Sequence, residues 1–178
     1  MSQYKIIFTG PVGAGKTTAI NAISDTPPVK TDAAASDMTK NRKASTTVAM
    51  DYGVMNLAGG EKIHLYGTPG QERFDFMWDI LVNGGIGLIL LLDNTRADPF
   101  QDMKFFLDAF SKFISDTSLA IGVTQMDLSN RPTIDDYHSR LQEFGIKPPV
   151  FAVDAREKND VSLLVQALLY SLDPGMAE

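Results

Sequence analysis

The feature that most constrains this chain lies near its start. Tyr4 to Thr9 is a short β-type run that ends directly on Gly10-Pro11-Val12-Gly13-Ala14-Gly15-Lys16-Thr17. Ile20 and Ile23 then supply the apolar positions of a helix that Pro27-Pro28 stop. A strand that passes through a glycine-rich turn into a helix aims successive backbone N–H groups at one spot, and the positive end of the helix dipole with them.

Phosphate suits that spot. The eight residues satisfy the P-loop pattern in the strand-to-helix context that gives it meaning. Gly10, Gly13, Ala14, Gly15, Lys16, Thr17 and Thr18 are therefore candidate nucleotide contacts. Lys16 is placed to pair with the β- and γ-phosphates, as binding group and catalytic cation, and the Thr17 hydroxyl to ligate Mg2+. Alone, the pattern does not separate a GTPase from an ATPase or a small-molecule kinase.

The rest of the chain reads as strands alternating with helices. Thr46 to Met55 and Lys62 to Tyr66 form a hairpin through Ala58-Gly59-Gly60-Glu61, and Gly87 to Leu92, Leu119 to Thr124 and Val150 to Val153 are further strands. Phe100, Met103, Phe106, Leu107 and Phe110 fall at helical spacing, and Ile134 to Phe144 and Val161 to Leu172 predict two more helices. Val29 to Ser45 is small, polar and aperiodic, a length that inside a compact domain marks function or flexibility. The pattern predicts an α/β fold: a six-stranded, mostly parallel sheet with one antiparallel edge strand and helices on both faces.

Length and charge bound what such a fold serves. The 178 residues suit one domain spanning 1–178. A net charge of -6 disfavours a nucleic-acid partner, and the absence of cysteine removes disulfides, thiolate metal sites and thiol-linked lipids. The longest apolar run, Ile86 to Leu92, is too short to span a bilayer. A cytoplasmic protein with no stable membrane anchor is expected.

Four further segments point to guanine nucleotides. Thr46-Thr47-Val48-Ala49-Met50-Asp51-Tyr52 resembles the end of the first switch of Ras and Rab GTPases, which implies Thr47 as a second magnesium ligand. Leu65-Tyr66-Gly67-Thr68-Pro69-Gly70-Gln71-Glu72-Arg73-Phe74 resembles the second switch, with Gly70 offering its N–H to the γ-phosphate and Gln71 orienting the attacking water. Thr124-Gln125-Met126-Asp127 stands where that family carries its base-recognition motif. A carboxylate at Asp127 accepts from both the ring N–H and the exocyclic amine of guanine, while adenine presents a different edge. Asp154-Ala155-Arg156 resembles the loop that presents a backbone N–H, here that of Ala155, to the guanine carbonyl, with Arg156 covering base or sugar.

Together these segments resemble the Ras-like small GTPases over nearly the whole chain, in order and at the expected spacing. The resemblance is greatest to bacterial MglA-type GTPases and the branch associated with Roadblock-domain regulators. It implies a GTP/GDP switch in signalling or polarity, slow magnesium-dependent hydrolysis of GTP, and regulatory or effector proteins that engage the switch regions. Two rivals remain. One is a P-loop ATPase or kinase, disfavoured because the six arginines are scattered rather than gathered in a lid; the other is a pseudo-GTPase that holds nucleotide without turnover.

The departures are informative. Gln125 replaces a lysine, and no arginine matches an intrinsic transition-state finger, Arg42 and Lys43 being near Thr47 without fitting. Gly67 stands where the second switch normally begins with aspartate. The metal is then expected to rely on Thr17, the phosphates, water and, in the GTP state, Thr47, with weaker magnesium dependence of GDP binding than in aspartate-bearing relatives and stronger dependence for GTP. Phe74, Phe76, Met77 and Trp78 are expected to serve as interface anchors, whereas His64 and His138 read as ordinary strand and helix residues.

Overall fold

The computed structural model of the chain describes residues 3–27, 29, 30, 51–69 and 75–172. Thr47, Gly70, Gln71, Arg42 and Lys43 lie outside them. In chain order the elements are β1 (Gln3–Thr9), α1 (Lys16–Ile23), β2 (Val29–Lys30), β3 (Asp51–Asn56), β4 (Lys62–Gly67), α2 (Asp75–Leu81), β5 (Gly87–Asp93), α3 (Pro99–Ala109), α4 (Ser111–Asp116), β6 (Leu119–Thr124), α5 (Ile134–Glu143), β7 (Val150–Ala152) and α6 (Lys158–Leu172).

One sheet runs through the molecule in the order β2-β3-β4-β1-β5-β6-β7. β4, β1, β5, β6 and β7 are mutually parallel, and β3 alone runs against its neighbours. The six expected strands are all present. The two-residue β2, in the stretch read as aperiodic, pairs on the outside of β3, so the antiparallel strand is not the outermost one. Two residues carry too little periodicity to announce a strand.

Alternation along the strands sorts side chains between two layers. Ile6 and Phe8 of β1, with Ile89 and Leu91 of β5, pack against Ala19, Ile20 and Ile23 of α1 and Val161, Leu164, Val165 and Leu168 of α6. Ile7, Leu88, Leu90 and Leu92 point to the other face, where Trp78 of α2, Met103, Phe106 and Leu107 of α3, and Tyr137 and Leu141 of α5 cover them. β5 is buried along its whole length, as a strand covered on both sides must be.

Local signals fix the helix starts. Thr133 caps α5 in a reciprocal capping box with Asp136, and the Asp98 carboxylate accepts from the Gln101 N–H at the head of α3, whose first residue is Pro99. With the strands parallel, the segments after β1, β6 and β7 all emerge at one edge of the sheet, where open α/β sheets bind ligands.

The aromatic segment before β5 requires a correction. Trp78 is 3% exposed and stacks on Phe110 with ring centroids 5.1 Å apart, so it is a core residue and not an interface anchor. Met77 is half-buried; the side chains of Phe74 and Phe76 lie outside the described residues. His64 sits on β4 between the Tyr52 hydroxyl and Gln3, and His138 is exposed on α5, both as expected.

Candidate functional site

The loop from Gly10 to Gly15 is held in a backbone path that side chains resist. Gly10 adopts φ +146° directly over β5, and a Cβ there would run into the Leu91 carbonyl oxygen. Gly15, at φ +101°, caps the first turn of α1, and a Cβ on it would come within 2.9 Å of the Ala155 methyl. The second glycine therefore allows the loop after β7 to rest directly on the loop after β1.

Lys16 follows at the first position of α1 and is 8% exposed. Its Nζ donates to the carbonyl oxygens of Gly10, at 2.6 Å, and Pro11, at 3.0 Å, folding the side chain across the loop. Burial pushes its pKa down to about 8, and the nearby Asp51 carboxylate works against that shift.

The next residue makes a contact that motif reading did not foresee. The Thr17 hydroxyl donates to Oδ2 of Asp51 at 2.6 Å, from the head of α1 to the first residue of β3. Hydroxyl and carboxylate oxygens are hard donors of the kind magnesium takes, so the donor set fits that ion. Thr18 is exposed on the same helix and lines the cleft beside it.

That cleft, of about 670 Å³, is walled by Gly13, Ala14 and Gly15, by residues 124–128, and by residues 152–156. The structure thus brings the phosphate loop, residues 124–127 and residues 154–156 together at one cleft. Thr124 is 3% exposed and shares its hydroxyl proton between the carbonyls of Ala14, at 3.0 Å, and Leu92, at 3.2 Å. From the cleft wall its hydroxyl braces the phosphate loop.

Gln125 takes the left-handed conformation, φ +61°, and its Nε2 reaches toward the Gly13 carbonyl at 3.4 Å. Asp127, two residues on, stands exposed at the cleft wall. The loop carrying it is tied from behind: buried Asn94 donates to the carbonyls of Ser129, at 2.7 Å, and Pro132, at 3.0 Å, while its own Oδ1 accepts from the Tyr137 hydroxyl.

Across the cleft, Arg156 forms a two-pronged pair with Asp154, Nε to Oδ1 at 2.9 Å and Nη2 to Oδ2 at 2.7 Å. Those bonds hold the Asp154 pKa at about 2. Asp154 thereby holds the Arg156 side chain, and buried Ala155, between them in the chain, lines the cleft.

The cleft thus has the glycine-rich backbone turn at one end and an exposed carboxylate at the other. A family model described as conserved hypothetical ATP binding protein matches residues 26–166, most of the chain. An uncharacterized protein of Methanocaldococcus jannaschii is 26% identical over 145 residues, 82% of this chain and 84% of that protein. Ras-related protein RabC of Dictyostelium discoideum is 23% identical over 181 residues, 97% of this chain and 85% of RabC. Ras-related protein Rab-27A of Sus scrofa is 23% identical over 182 residues, 93% of this chain and 76% of that protein.

Proposed function

The chain belongs to the family described as conserved hypothetical ATP binding proteins and is a relative of the Ras-like small GTPases; from that premise we propose that it is a guanine-nucleotide switch that hydrolyses GTP slowly with magnesium. The observation that carries the reading is the convergence of the phosphate loop, Asp127 and the Asp154-Ala155-Arg156 turn on one cleft.

Within that cleft each residue has a task. Backbone N–H groups from Gly13 to Thr17 hold the phosphates, and Lys16 turns from the Gly10 and Pro11 carbonyls to the β- and γ-phosphate oxygens. Asp127 accepts from the two N–H donors of guanine, and the Ala155 N–H donates to its carbonyl. Thr17 and Thr47 would hold magnesium, which would supply neutralisation of the phosphate charge. Gln71 orients the attacking water, and with no matched arginine in the chain the unassisted rate is on the order of 10⁻³ s⁻¹ or below.

The role follows from the same reading. The protein acts in the cytoplasm in signalling or polarity, as MglA-type GTPases do, and a regulator of the Roadblock class engages its switches. Adenine is the second reading, because the matching family's description names ATP.

Nucleotide retained by purified protein, identified by chromatography, decides between the purines. Guanine nucleotide with at least tenfold preference over ATP in competition is the expected result; preferential retention of ATP or ADP would remove Asp127 from base recognition. Gln71→Leu should bind GTP as wild type and lose partner-stimulated hydrolysis. Undiminished stimulated turnover in that variant would exclude Gln71 from water positioning.

A further inference from the structure

Asp127 is exposed at the cleft wall, and an exposed carboxylate tells one base from another only if the backbone beneath it is held still. Two acceptor bonds to one purine edge fix an angle as well as a distance. Yet the loop that carries Asp127, from Gln125 to Pro132, is neither helix nor strand. What steadies it comes from elsewhere in the chain.

Asn94, directly after β5, grips that loop at both ends. Its backbone N–H donates to the Thr124 carbonyl at 3.0 Å, where the loop leaves β6. Its side-chain amide donates to the carbonyls of Ser129, at 2.7 Å, and Pro132, at 3.0 Å, where the loop turns toward α5. At 2% exposure the amide depends on these protein partners.

Tyr137 completes the set. Its hydroxyl donates to Asn94 Oδ1 at 2.7 Å, so the three partners admit one orientation of the amide, nitrogen toward the two carbonyls and oxygen toward the phenol. The Tyr137 ring is fully buried on α5 and meets Phe100 edge to face, with centroids 5.1 Å apart, which fixes where the hydroxyl stands. Burial raises the phenol above its ordinary pKa, the Asp102 and Asp93 carboxylates add to the effect, and the group stays a donor.

Neither Asn94 nor Tyr137 lines the cleft. We infer that the two determine base specificity from behind the site: a hydroxyl on α5 fixes an amide after β5, the amide fixes the loop between β6 and α5, and the loop aims Asp127. They are positioning residues. The inference rests on the assignment of Asp127 to guanine made above and deepens it. It also sets them apart from Thr124, whose hydroxyl holds the phosphate loop. Losing the Asn94 bonds loosens recognition of the base and spares the phosphate contacts.

Calorimetry on full-length protein with GDP and with IDP tests this. Hypoxanthine keeps the ring N–H and the carbonyl of guanine but lacks the exocyclic amine, so the ratio of the two affinities reads one acceptor bond of Asp127. A general structural defect weakens both nucleotides alike and leaves that ratio unchanged. Tyr137→Phe removes one oxygen, keeps the ring against Phe100, and should lower the ratio about three- to fivefold; Asn94→Ala should lower it about tenfold. In the double variant Tyr137→Phe should add nothing to Asn94→Ala, because the hydroxyl acts through the amide. Tyr137→Phe is the milder exchange and decides alone if Asn94→Ala does not fold.

A wild-type ratio in folded Tyr137→Phe overturns the inference, as does a further loss in the double variant. A wild-type protein that binds GDP and IDP equally overturns the reading of Asp127 itself, whereas a preference for GDP that survives both exchanges overturns this inference alone.

Discussion

The two ends of the cleft are built on opposite terms. At the phosphate end, Ala14, Lys16 and Thr124 are buried and the loop is pinned from β6 and α1. At the base end, Asp127 and Leu128 are exposed and the Arg156 side chain is 76% exposed. Buried polar groups must be satisfied where they stand, so changing one disturbs the fold; exposed ones tolerate exchange. The departure from the Ras-like pattern at Gln125 falls on the loop that carries exposed Asp127. The departure at Gly67 falls at the strict end, and there a second residue, Asp51, occupies the space it opens.

If this contrast is right, the largest effect belongs to Lys16. Lys16→Ala should lower nucleotide affinity on the order of 10²- to 10³-fold by calorimetry at pH 7, since a desolvated charge pair with phosphate is lost. The same residue sets a pH dependence. Its folded pKa of about 8 lies below the unfolded value of 10.5, so the unfolded chain holds more protons between those values, and ligand-free stability gains from this group as pH rises through that window. Phosphate binding favours the ammonium and runs the other way. Affinity should fall as pH passes 8, with proton uptake visible as a buffer-dependent binding heat; constant heat across buffers at pH 8.5 would contradict it.

Next is Asp127. Asp127→Asn should weaken GDP on the order of 100-fold and bring xanthine nucleotides into range, because an amide donates where the carboxylate only accepts. Melting temperature should not move, as suits an exposed side chain. An unfolded variant would break the contrast as surely as unchanged base preference.

Thr124→Val tests the brace and should act mainly on stability. It leaves the buried Ala14 carbonyl without its donor, a loss of about 1–3 kcal/mol, seen as a lower melting temperature in thermal unfolding together with weaker GDP binding. The smallest effect is expected from Arg156→Ala, about threefold or less in affinity, since an exposed ion pair contributes little. A loss above tenfold would show that the base end carries more of the binding than its exposure implies.

Much of this was legible in the sequence because it depends on neighbours in the chain. β6 runs from Leu119 to Thr124 as its β-branched and apolar residues indicate, and the phosphate loop lies where its glycines put it. What was not legible depends on pairing across the chain. Asp51 looked like a strand residue beside Thr47, and only the hairpin register places it opposite Gly67. A signal existed: counting outward from the turn at residues 58–61, with Asn56 opposite Lys62, reaches that pair. Trp78 was misread for a related reason. Its partners Phe105, Phe106 and Phe110 arrive from α3 and the turn that ends it, beyond any local window. The two turns of α4 are too short for a periodic signal.

Trp78 has one more property. It is the chain's single tryptophan, and its indole N–H donates to the Pro69 carbonyl at 3.2 Å, at the root of the segment that carries Gly70 and Gln71. Around it the indole packs against the rings of Phe105, Phe106 and Phe110. Movement of Pro69 therefore removes the indole's hydrogen bond without replacing it, or draws the ring toward water. Either event changes the colour and yield of its emission. Rearrangement around Pro69 is therefore open to optical timing in unlabelled, unmutated material, and under the proposed function exchange of GDP for GTP is the event to time.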